Sequence, residues 1–98
     1  MSRFLKRLEK SIQRLEKKIE KEQLKIEDLR VKCENHKLTK AAFNLKKKQI
    51  EERMNSMKSR IRVLQGGMAK ERRHEEEKAE EKRLKQEEKE KEKKAKED

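Results

Sequence analysis

The chain has no proline, tryptophan or tyrosine, and its 98 residues include only two glycines, two phenylalanines and one cysteine. Without proline, no residue lacks its N–H, so nothing covalent interrupts a helix. With two aromatic residues and 29% hydrophobic content, the chain cannot fill a globular core. A single cysteine, Cys33, offers no disulfide framework and suggests a reducing compartment. No apolar run is long enough for a transmembrane helix. The basic N-terminal stretch is interrupted by Glu9 and Glu16 and lacks the uncharged stretch of a secretory signal. The expectation is a cytoplasmic protein (nuclear, if eukaryotic), neither secreted nor membrane-spanning.

Charge is abundant: 54% of the residues are Asp, Glu, Lys or Arg, and the net charge is +11. The excess is uneven. Residues 1–68 carry 20 Lys and Arg against 9 Asp and Glu, whereas residues 69–98 carry 12 of each. Such a composition matches long solvated helices, and the basic part favours polyanions or acidic proteins.

The scarce apolar residues are spaced by seven. Leu5, Ile12, Ile19 and Ile26 form one series, and Leu8, Leu15 and Leu29 lie three residues after members of it. These are the a and d positions of a heptad, the pattern that presses one helix against another. Residue 22 at a d position is Glu, and residues 33 and 36 are Cys and His, so the stripe weakens toward its end. Phe43, Ile50, Met57 and Leu64 continue the sevenfold spacing, with Met54 and Ile61 at the other seam position. Asn35-His36-Lys37 is the expected turn, with Asn35 in the left-handed conformation and Thr39 capping a second helix. The rival is one unbroken helix over 3–65, opposed by Lys40 and Lys47 at a positions. Gly66-Gly67 reads as a helix stop.

The predicted fold is therefore all-α: an antiparallel helical hairpin or coiled coil over residues 1–67, with helices at about 3–35 and 39–65. Residues 68–98 form a charged tail, either helical or disordered, with Glu-to-Lys pairs such as Glu81–Lys85 and Glu87–Lys91 in the favourable i,i+4 order. Folded as a hairpin, the chain places residue 26 near 50, 19 near 57 and 12 near 64. The expected seam is Leu5, Leu8, Ile12, Leu15, Ile19, Ile26, Leu29, Phe43, Ile50, Met54, Met57, Ile61 and Leu64. A second sevenfold stripe, Leu24, Val31, Leu38 and Leu45, lies off that seam and would be exposed in a monomer.

Leu38-Thr39, Phe43, Lys47 and Ile50, after a first helix containing Leu29, follow an Ile-Thr, Phe, Lys, Leu order. On these residues the segment 22–50 resembles the SHOCT domain, a short helical-hairpin module usually found at protein C-termini. His36 or Lys37 stands where that family has a turn glycine, and Ala41-Ala42 where it has Glu-Glu. The resemblance implies a turn near residue 36 and an oligomerisation or interaction role without catalysis.

Little catalytic or cofactor chemistry is offered. Cys33 and His36 could supply two zinc ligands one helical turn apart, but a tetrahedral site needs four and no second Cys/His cluster follows. Gly66-Gly67 lacks the Lys-Ser/Thr of a phosphate loop. No cofactor, metal, enzymatic activity or small-molecule substrate is expected. The leading function is a coiled-coil oligomerisation or scaffold module whose partner is a second copy or another helical protein. The alternative is nucleic-acid binding by the basic helix carrying Lys46, Lys47, Lys48, Arg53, Lys58, Arg60 and Arg62. A second alternative is binding of an anionic membrane surface by the basic amphipathic segment 1–19.

Overall fold

In the computed structural model, residues 2–97 are described, Glu97 by its backbone alone; Met1 and Asp98, the outer ends of the predicted hairpin and tail, lie outside them. The described residues form two helices, α1 (Arg3–Glu34) and α2 (Lys40–Glu97), with no strand among them. The chain divides into two units, Met1–Gly66 and Gly67–Asp98.

The first unit is an antiparallel hairpin. Ser2 opens α1: its Oγ accepts the Leu5 N–H at 3.1 Å, satisfying one of the unpaired donors of a first turn. The helix ends in a Schellman turn. The His36 N–H donates to the Cys33 carbonyl at 3.1 Å and the Lys37 N–H to the Lys32 carbonyl at 2.9 Å. His36, not Asn35, takes the left-handed conformation: its φ is 60°, whereas Asn35 stays at φ −84° as the C-cap. The 6→1 bond from Lys37 requires the residue before it to be left-handed, and that fixes the assignment. Thr39 then caps α2, its Oγ1 accepting the Ala42 N–H at 3.2 Å. The linker thus breaks what the heptad alone would allow as one helix.

The seam closes within the hairpin. Leu5, Ile12, Ile19, Ile50 and Met54 are buried there. Ile19, Ile50 and Met54 form a cluster against which Ile26, Leu29, Met57 and Ile61 pack. No side chain among the described residues is fully buried. The core is a single row of contacts, as expected when two helices share one stripe.

The predicted stop at Gly66-Gly67 is not a stop: α2 passes through both glycines, and neither has a positive φ. Two glycines cost a helix only about 1 kcal/mol each. Here they sit between Leu64-Gln65 and Met68-Ala69-Lys70, which are good helix formers. Propagation across them fixes one residue per hydrogen bond, whereas a new helix would need a new nucleus. The predicted tail is accordingly helical over its described residues. Its Glu80–Arg83 pair closes at 3.5 Å with three-residue spacing, and the expected i,i+4 pairs do not close. No helix among the described residues is long and apolar enough to cross a membrane.

Candidate functional site

The candidate sites are the faces of the hairpin. The expected seam residues all lie inward. Leu5, Ile12, Ile19, Ile50 and Met54 are buried, and Leu8, Leu15, Ile26, Leu29, Phe43, Met57, Ile61 and Leu64 are half-buried. Met68, seven residues beyond Ile61, is also buried; the assumed glycine stop hid it, although the Met54–Ile61–Met68 spacing shows it.

The expected second stripe behaves differently. Leu24 is 65% exposed, Val31 47% and Leu45 60%. Leu38 is half-buried in the linker. The turn divides this stripe: Leu24 and Val31 lie on α1 opposite its seam, and Leu45 lies on α2 opposite its own. In an antiparallel hairpin those two faces point away from each other, so the four residues do not form one continuous surface.

Glu22 is the residue that the sequence reading undervalued. It occupies a d position, is only 8% exposed, and receives two cations. Arg53 Nη2 donates to its Oε2 at 3.0 Å, from the opposite helix, and Lys25 Nζ donates to its Oε1 at 3.1 Å. The Arg53 hydrogen bond holds the Glu22 carboxyl below its ordinary value, against burial, which pushes it up; Lys25 adds to the lowering. A carboxylate in the seam is therefore a cross-helix tie that fixes which residues face each other. A Glu at a d position with Lys three residues on and an Arg near the facing position is the signal that marks it.

This tie also draws Arg53 out of the basic set proposed for polyanions. Lys46, Lys48, Lys58, Arg60 and Arg62 remain exposed on α2. Lys47 is half-buried at an a position, with its ammonium 6.0 Å from the Phe43 ring centroid and 3.9 Å from Glu51. Its aliphatic stem covers the seam while the charged end reaches outward, which is how the helix accommodates lysine there.

Cys33 is half-buried and His36 exposed. Among the described residues, no group of three or more His, Cys, Asp or Glu side chains is placed to hold a metal ion. The chain matches no known protein family, no curated protein and no solved structure.

Proposed function

We propose that the protein is a non-catalytic assembly module that acts through helix–helix contacts, with a second copy or another helical protein as its partner. The observation that carries this reading is the combination of a thin core with unpartnered apolar residues. No described side chain of the hairpin is fully buried, while Leu24, Val31 and Leu45 stand in solvent. A unit this small buries a low fraction of its surface alone, and association is the ordinary way to cover what remains. The SHOCT-like segment, which spans the turn, agrees with an interaction role. The test is the mass of the purified full chain by light scattering over a range of concentrations. Growth from monomer toward dimer or tetramer supports assembly; a monomer throughout, with no helical partner captured, counts against it.

A second reading is polyanion binding by α2, favoured by the exposure of Lys46, Lys48, Lys58, Arg60 and Arg62. Such binding would be independent of nucleotide sequence and steeply salt-dependent. Replacing Lys46, Lys47 and Lys48 by Glu should shorten retention on a polyanion column and leave the mass unchanged.

A further inference from the structure

The face of α1 opposite the seam has a charge pattern that its own helix does not explain. Over its first half this face presents Arg3, Lys6, Arg7, Lys10, Arg14 and Lys17, and no acid. Over its second half it presents Glu20, Glu27, Asp28 and Glu34 around Leu24 and Val31, with Lys21 as the one cation. All of these residues are exposed. The polarity is the reverse of what a helix prefers. The N-terminal end of the macrodipole favours anions and the C-terminal end cations, yet α1 has no acid in its first turn. Helix stability therefore argues against this arrangement, and a contact outside the chain argues for it.

The spacing says which contact. Arg3, Lys10 and Lys17 are seven apart, and so are Glu20, Glu27 and Glu34. Each row therefore repeats every ~10.5 Å along the axis. A parallel copy would set cations on cations. An antiparallel copy, related by a two-fold axis near the middle of the helix, sets 3 against 34, 10 against 27 and 17 against 20, each twice. Residues 24 and 31 then meet the positions of Gln13 and Lys6, whose stems can cover them. Glu27 already pairs with Arg30 of its own helix at 3.5 Å, but both side chains are more than half exposed and that pair can exchange.

We propose that the outward face of α1 docks on the same face of a second copy, antiparallel about a two-fold axis, with Arg3, Lys10 and Lys17 of each copy facing Glu34, Glu27 and Glu20 of the other. The contact is isologous and closes at two copies. It rests on the assembly reading above and names the surface that performs it.

The test uses the full chain and two triple variants. Arg3→Glu with Lys10→Glu and Lys17→Glu makes both rows acidic; Glu20→Lys with Glu27→Lys and Glu34→Lys makes both rows basic. Both sets move charge in the direction the macrodipole favours, and helicity by circular dichroism confirms that each variant folds. The expected result is a dimer for the parent chain that weakens as salt is raised, a monomer for each variant alone, and a dimer with one copy of each when the variants are mixed. If both variants keep the parent's mass, assembly stands but this face is not the interface. If the variants are monomers that fail to pair when mixed, the proposed register is overturned. A parent chain that stays monomeric at every salt concentration overturns this surface as a contact between copies and leaves the assembly reading with a different helical protein as the only partner. If the parent is monomeric and carries nucleic acid, which the Arg3, Lys10 and Lys17 triple variant alone sheds, the basic half is a polyanion site and the proposal falls.

Discussion

The two units of the chain are both helical, but for different reasons. In the first unit, most helix turns among the described residues contribute an apolar side chain to a seam shared with a second helix. In residues 69–97 the apolar residues are three alanines and Leu84, and Leu84 is 49% exposed. That stretch rests on the helix propensity of Glu, Lys, Arg, Gln and Ala, with the Glu80–Arg83 pair beside it. The charge follows the same division: the seam-bearing part holds the whole excess of +11, and residues 69–98 are balanced. Where packing maintains the helix, surface charge is free to select a partner. Where propensity and local pairing maintain it, the surface is left without a net field.

This contrast can be broken at the seam. Ile50→Ala removes a side chain that is 5% exposed at the centre of the cluster. It should destabilise the hairpin by about 2–4 kcal/mol, in the range of buried Ile truncations. Amide hydrogen exchange should show protection lost throughout residues 3–64, with little change in residues 70–95.

Acid should act on the hairpin first. The Glu22 carboxyl lies below its ordinary value of 4.5 in the folded hairpin. Its contribution is thus fully present above pH 4.5 and is lost as pH falls through the lower folded value. Glu22→Gln should cost roughly 1–2 kcal/mol at neutral pH, since its two cationic partners are themselves half exposed. It should also flatten the fall in melting temperature below pH 4.5. A variant with the parent's full acid sensitivity would show that another carboxylate governs it.

Two smaller changes should stabilise rather than disrupt. His36 holds φ 60°, where a side chain costs roughly 1 kcal/mol; His36→Gly should raise the denaturation midpoint of the hairpin by about that amount. Gly66→Ala adds a methyl group with nothing within 4 Å of its Cβ. It should stabilise α2 by about 0.5–1 kcal/mol, read as slower exchange of the amides on either side of residue 66.

Most of the fold is visible in the residue order, and the reasons are local. Seven-residue spacing fixes the seam, and Ser2 and Thr39 are cap residues whose role depends only on the turn that follows them. The turn is legible in place but not in detail. Asn35 has the greater left-handed propensity, yet the hydrogen bond from Lys37 to Lys32 assigns that conformation to His36. Gly66-Gly67 misleads because glycine weakens a helix without ending it; ending one requires a conformation that these glycines do not adopt. Glu22 reads as a flaw in the stripe until the facing helix brings Arg53 to it, a long-range fact that no local pattern contains. The outward faces are the least legible. The stripe through Leu24, Val31, Leu38 and Leu45 is continuous in sequence, but the turn divides it in space.

The linker has a consequence for how such a chain can change over time. Its residues are almost all committed: Asn35, His36 and Lys37 complete the end of α1, and Thr39 begins α2. A deletion or insertion of one residue there breaks one of these end bonds and leaves the ends of α1 and α2 to be rebuilt around a turn of another length. Loops ordinarily accept changes of length more readily than the elements they join. In this hairpin the linker is less tolerant than most: many outward positions can vary in identity, while the count of residues between Glu34 and Lys40 is tied to the two helix ends that it caps.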